Sequence, residues 1–240
     1  MGSKPNIEKL RFENLSFKPE GQDAIFENVD FDFPMNQLVW IKAEHGSGRS
    51  TLLQLLAALQ MPTHGSYFIN EKNVADMSFE EFLPYRLAIG YGFDMGGLIH
   101  NRTLFENLIL PLHYHKVLTQ EEASERVCRY LRDFGLWKYK DQRPSFISGG
   151  TKKLACLLRA IIMHPQVVLL DDPTVGVSQE TSLKFFDLLE NLKKEGQLKH
   201  AFISSFDEKF MGSVEHTEIF IEGGLLHAMP DMPEKKVVSL

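Results

Sequence analysis

A loop of small residues sits between two apolar segments near the start of the chain, and it constrains the fold more than any other feature. Leu38, Val39, Trp40 and Ile41 lead, through Lys42, into Ala43-Glu44-His45-Gly46-Ser47-Gly48-Arg49-Ser50-Thr51. Leu52, Leu53, Leu55, Leu56 and Leu59 follow at helical spacing. The pattern predicts a strand, a tight loop and a helix, the context in which G-x-x-x-x-G-K-[ST] cradles phosphate. Here Gly48 is the second glycine and Ser50 the hydroxyl, while Ala43 stands for the first glycine and Arg49 for the lysine. A loop of this shape turns backbone N–H groups toward an anion at the positive end of a helix, and the substitutions leave that intact. They do remove the compact ammonium, because a guanidinium is larger and planar.

The rest of the chain supplies the setting. A length of 240 residues allows one α/β domain or two small ones, and 43% hydrophobic with 24% charged residues fits a globular core. The net charge of −6, without a block of like charge, argues against nucleic acid as the main ligand. No apolar run is long enough for a bilayer, and the opening residues lack a signal-peptide pattern. Cys128 and Cys156 have no Cys or His at ligand spacing and read as buried thiols. His113-x-His115 has no third ligand in view and reads as a surface pair.

Leu10 to Phe17 and Ile25 to Phe33 alternate apolar and polar across a Pro19-Glu20-Gly21 turn, which predicts an antiparallel pair. Short strands are expected at Tyr67 to Ile69 and Ala88 to Phe93, with a helix at Ser78 to Leu87 between them. Residues 101–137 are helical by pattern, with a capping box at Thr119 and Glu122. A further helix spans Ser148 to Met163, starting with a serine and two glycines. Val167 to Leu170 is a continuous apolar run ending in Asp171 and Asp172, as in a buried parallel strand with carboxylates at its C-terminal edge. A helix at Thr181 to Lys194 and strands at Ala201 to Ser205 and Glu218 to Ile221 follow, and the tail from Met229 reads as loosely held. A P-loop and a downstream acidic strand form a pair that holds Mg²⁺ between a hydroxyl and a carboxylate.

Between the two lie Ile147-Ser148-Gly149-Gly150-Thr151, Lys152-Lys153 and Leu158-Arg159-Ala160, followed by Leu170-Asp171-Asp172-Pro173-Thr174. In order and spacing, over about residues 10–227, the chain resembles the nucleotide-binding domain of ABC transporters. That family carries Leu-Ser-Gly-Gly-Gln, a basic pair, Ala-Arg-Ala and Asp-Glu-Pro-Thr. Asn101 to Leu108 with Pro111-Leu112 looks closest to the branch serving lipoprotein release, cell division and phospholipid transport.

The resemblance implies an α/β P-loop core with an antiparallel β subdomain over about residues 5–94 and 161–227. It implies a helical lobe over about 95–160 and a flexible tail over 228–240, all in one nucleotide-binding domain. It implies ATP and Mg²⁺ as ligands, with phosphate on Ala43 to Thr51 and metal on Ser50, Asp171 and Asp94. Ser148, Gly149, Gly150 and Thr151 would serve the nucleotide of a second such domain, in a homo- or heterodimer. An integral membrane permease subunit is the expected partner, and the cytoplasmic face of the membrane the expected location.

Departures from the family fall on the chemistry. The adenine-stacking aromatic falls at Pro19, the metal- and water-contacting glutamine at Asp94, and the water-positioning glutamate at Asp172. The aspartate of the following loop is Ser178, and the γ-phosphate histidine is Phe206. Asp172 keeps its charge but loses about 1.5 Å of reach, which costs about 10²-fold where positioning is the whole task. Phe206 cannot hydrogen-bond a phosphate. Asp172 and Asp94 are the remaining candidate catalytic groups. These substitutions predict weak ATP·Mg²⁺ binding with slow or no hydrolysis. Two readings stand beside that one: a working transport ATPase of altered chemistry, and a nucleotide-free scaffold or regulator.

Overall fold

The computed structural model describes residues 5–94, 97–116 and 118–228. The expected tail from Met229, and residues 95, 96 and 117 within the expected helical segment, lie outside that range. In chain order the elements are β1 Leu10–Phe17, β2 Phe26–Asp32, β3 Leu38–Ala43, α1 Arg49–Leu56, β4 His64–Ile69 and β5 Lys72–Asn73. Next come α2 Phe79–Leu87, β6 Ile89–Gly92, α3 Leu104–Tyr114, α4 Gln120–Asp133, α5 Gly149–Ile161 and β7 Val167–Asp171. The last are α6 Gln179–Lys194, β8 His200–Ser204, α7 Glu208–Met211, β9 Thr217–Glu222 and β10 Leu225–Ala228.

The strands form a four-stranded sheet ordered β2-β1-β4-β5 and a six-stranded sheet ordered β10-β9-β3-β8-β7-β6. Strand β1 pairs antiparallel with both β2 and β4, and its alternating pattern gives the first sheet one buried face. In the larger sheet β9, β3, β8, β7 and β6 are parallel, with β10 an antiparallel edge. Both β7 and β8 are buried along their whole length, as strands covered on both faces must be.

Alternation along the parallel strands divides the apolar side chains between two cores. Trp40, Val168, Leu170, Ala201 and Ile203 face α3, α4, α5 and α6. Val39, Ile41, Val167, Leu169 and Phe202 face α1 and the antiparallel sheet. Because β3, β6, β7 and β8 run in register and in the same direction, Ala43, Gly92, Asp171 and Ser204 all reach one edge of the sheet.

Capping boxes start α2 at Ser78–Glu81, α3 at Thr103–Glu106 and α4 at Thr119–Glu122. Asn107 on α3 is buried and fastens the preceding loop, donating to Ile99, Arg102 and Thr103 carbonyls and accepting the Ile99 N–H.

Two expectations need correction, and one strand was not foreseen. The apolar stripe predicts that α1 continues to Leu59, but the helix ends at Leu56, Ala58 takes φ 49° and Leu59 is exposed. Beyond Leu56 the chain turns toward β4, where Tyr67 Oη donates to Leu56 O at 2.8 Å. The run after Gly223-Gly224 is a strand, β10, because both glycines take positive φ and reverse the chain onto β9. Of the two cysteines, Cys156 is buried and Cys128 only half so.

Candidate functional site

The C-terminal edge of the parallel strands is where open α/β sheets hold ligands. Strand β3 leaves the sheet at Ala43, and the chain passes through Glu44 to Gly48 before α1 begins. Gly46 and Gly48 take φ 81° and 95°, the left-handed region that suits glycine. At Gly48 a Cβ would also lie 2.3 Å from Ile25 Cγ2, so a side chain there would have to displace Ile25. Gly48 caps α1 with no side-chain bond, and no acidic residue lies in the first turn. The N–H groups there are left for a ligand at a positive helix end. A cleft of about 320 Å³ opens above this loop, lined by Glu44 to Thr51, Ile25, Asp172 and Phe206.

Arg49 does not extend freely into that cleft. It is 8% exposed, with its guanidinium carbon 3.2 Å from the Phe206 ring centroid and Nη2 3.4 Å from Asp172 Oδ2. His45 also stacks on Phe206, at 3.8 Å between centroids and 26° between planes. Two groups this close to one ring cannot share a face, so Phe206 lies sandwiched between His45 and Arg49. The buried Nη1 of Arg49 has no hydrogen-bond partner. Burial lowers the Arg49 pKa and raises that of Asp172, in each case outweighing the charge of the other. Asp171 and Asp94 add their charges to that of Asp172 in favouring the Arg49 cation.

Asp172 turns the chain off β7 with φ 43°. Its N–H bonds Ser204 O at 3.0 Å, and its Oδ1 accepts the Phe206 N–H at 3.3 Å. Both carboxylate oxygens are therefore engaged by the protein. Its neighbour Asp171 is 5% exposed and accepts a hydrogen bond from Ser204 Oγ on Oδ1.

Lys153 of α5 is buried just beneath these acids. Its Nζ donates to the carbonyls of Phe93 at 3.1 Å, Asp94 at 2.8 Å and Asp171 at 2.8 Å. It also lies 3.4 Å from Asp94 Oδ1. Burial lowers the Lys153 pKa, with the three aspartates opposing it. One ammonium thus ties the exit of β6, the end of β7 and α5 together.

The candidate residues are not all in one place. His45, Gly46, Ser47, Gly48, Arg49, Ser50, Thr51 and Asp172 share the cleft, whereas Asp171 and Asp94 do not line it and bond Ser204 and Lys153 instead. Ala43 faces a neighbouring cleft of about 520 Å³ with Trp40, Lys42 and Phe220. Ser148, Gly149, Gly150 and Thr151 do not line the phosphate cleft. Ser148 caps α5 by accepting the Thr151 N–H, and a Cβ on Gly150 would lie 2.3 Å from Gly176 O. Ser178 caps α6 through the Thr181 N–H. Pro19 borders a separate cleft with Ser16, Lys18 and His64.

Sequence reasoning missed three roles: Lys153 as a tie, Ser204 as the partner of Asp171, and His45 with Phe206 as a stack on Arg49. Lys153 left a signal, since it shares a helical face with Leu157 and Ala160, both buried. The stack left none, because it joins residues distant in sequence.

Among the described residues no group of three or more His, Cys, Asp or Glu could hold a metal by itself. His113 is exposed and His115 half-buried. A hydroxyl at Ser50 and the second oxygen of Asp171 suit a magnesium ion that takes its remaining ligands from phosphate and water.

The family model described as "ABC transporter" matches residues 26–175. The chain is 33% identical over 187 residues to a methionine import ATP-binding protein, MetN 1, of Pectobacterium atrosepticum, covering 76% of this chain and 55% of that one. It is 32% identical over 193 residues to a putative ABC transporter ATP-binding protein of Methanosarcina acetivorans, covering 77% and 69%. With the ABC transporter ATP-binding protein YtrE of Bacillus subtilis it shares 28% identity, covering 86% and 89%. The chain thus spans about half the length of the MetN relative and most of YtrE. Among solved structures, the dimeric ATP-binding cassette MJ0796 bound to ADP and Pi superposes with a TM-score of 0.81 at 25% identity, covering 93% of this chain and 100% of that one.

Proposed function

The chain belongs to the ABC transporter ATP-binding family, and from that premise we propose that it is a nucleotide-binding subunit of a membrane transport complex that holds ATP·Mg²⁺ with slow or no hydrolysis. The phosphates would lie on the N–H groups of Gly46 to Thr51, with Arg49 supplying charge. Magnesium, held by Ser50 and Asp171, would screen the phosphates and orient their oxygens.

The observation that carries slow turnover is the state of Asp172. Its Oδ1 accepts the Phe206 N–H at 3.3 Å and its Oδ2 faces Arg49 at 3.4 Å. With Arg49 turned to the phosphates, Oδ1 is still held by the Phe206 N–H, and that hold on so short a side chain leaves the carboxylate poorly placed to orient an attacking water, where positioning supplies most of phosphoryl-transfer catalysis. Phe206 offers the reacting phosphate no donor, so a transition-state contact worth about 3 kcal/mol is missing. Asp94 is paired with Lys153 and is not a free base.

The start of α5, Ser148 to Thr151, fits the composite-site reading because it lies off the chain's own cleft. It would serve the nucleotide of a second domain. A permease subunit and a place on the cytoplasmic face of the membrane follow from the same reading. Among the described residues no helix is long and apolar enough to cross a membrane. A working ATPase is the second reading, favoured by the retained acidic pair Asp171–Asp172 at the end of β7.

Titration calorimetry with ATP, with and without Mg²⁺, tests the binding half of this proposal. Binding at micromolar to submillimolar ATP, tightened by Mg²⁺ and lost in Ser50→Ala with Asp171→Asn, is the expected result. No heat up to millimolar ATP contradicts it and favours a scaffold.

A further inference from the structure

In the phosphate cleft, the cation that would serve a polyphosphate is already engaged by the protein. The face of the Arg49 guanidinium is covered by Phe206 at 3.2 Å, and Nη2 faces Asp172 at 3.4 Å. Behind Phe206, His45 stacks at 3.8 Å and buttresses the ring. Stacking of this kind is favourable, more so when desolvated. The arrangement is nonetheless incomplete. The ion pair is long for a charge-assisted bond, and the buried Nη1 donates to nothing. Five N–H donors in a planar fork match phosphate oxygens better than they match this surround. The parked position therefore combines one strong stack with unsatisfied donors, and a polyphosphate in the cleft offers those donors acceptors.

We propose that Arg49 is a two-position side chain, parked between Phe206 and Asp172 or extended onto the phosphates of a nucleoside polyphosphate, and that Phe206, braced by His45, sets how often it is extended. This rests on the nucleotide-binding reading given above. Because only the extended fraction binds productively, the stack lowers the apparent affinity by that fraction. Phe206 thereby holds a gate on the P-loop as well as vacating the place of a phosphate donor.

The test is a double-mutant cycle on ATP affinity, with wild type, Phe206→Leu, Arg49→Ala and the double variant. Leucine keeps an apolar side chain at this half-exposed site but lacks the π face. Phe206→Leu is expected to bind ATP about two- to thirtyfold tighter than wild type, the range a lost cation–π contact converts to. The gain is expected to vanish in the Arg49→Ala background. Unchanged or weaker binding by Phe206→Leu overturns the gate, as does a gain that persists without Arg49. A nucleotide-independent measurement separates the two claims. In the NMR spectrum of the protein without ATP, the Arg49 Nε–H resonance should carry a ring-current shift that Phe206→Leu removes. Absence of that shift overturns the parked position even if ATP binds. A shift present while neither protein binds ATP up to millimolar concentration instead overturns the nucleotide reading and the gate that depends on it.

Discussion

Lys153 shows how a single buried charge can organise a sheet edge. Its ammonium answers three backbone carbonyls from two strand ends, Phe93 O, Asp94 O and Asp171 O. Removing it strands those acceptors, and each buried unsatisfied group costs about 1–3 kcal/mol. Lys153→Met is therefore expected to lose at least about 2 kcal/mol in urea unfolding, and Lys153→Arg less. An unchanged midpoint would show that water takes over the bonds. At this scale the sequence was only partly legible. The identities of Arg49, Asp172 and Phe206 mark a departure from ordinary phosphate chemistry, because their side chains differ in reach and polarity from the groups they replace. That these three meet is a tertiary fact, since Arg49 and Asp172 lie 123 positions apart in the chain.

At the scale of elements, the parallel strands were legible because burial on both faces requires a continuous apolar run, as in β7 and β8. The end of α1 was not, because the leucine stripe to Leu59 continues past the point where β4 draws the chain away. His200, at the start of β8, marks a joint between elements. Its Nδ1 accepts the Asn36 N–H at 2.7 Å, so Nε2 carries the proton and donates to Ile7 O at 2.9 Å. Protonating Nδ1 would set two donors against each other, and burial already holds the pKa below the ordinary 6.5. A histidine depressed in the fold binds its proton more readily when unfolded. Its contribution is thus fully present above pH 6.5 and is lost as the pH falls toward the folded-state pKa. The melting temperature should fall between pH 7.5 and 5, and His200→Gln should flatten that fall. An equal slope in the variant would place the sensitivity elsewhere.

At the scale of the whole molecule, the six-stranded sheet separates an α1-facing core from a helix-facing core, and the site edge draws on both. Arg49 comes from the first side and Lys153 from the second, while Asp171 and Asp172 leave the strand between them. That architecture belongs to the ATP-binding cassettes, and its side chains are turned inward on one another: Arg49 to Phe206, Asp172 to Arg49, Asp94 to Lys153. A molecule so built should bind nucleotide and turn it over slowly. The most direct test is phosphate release at saturating ATP·Mg²⁺ by wild type and by the double variant Asp172→Glu with Phe206→His. Wild type is expected at or below about 10⁻² s⁻¹, at least about 10²-fold under the ~1 s⁻¹ lower end of the range usual for enzymes, with the double variant at least about tenfold faster than wild type. Wild-type release at about 1 s⁻¹ or more would show that the engaged carboxylate and the aromatic stack do not restrain the chemistry.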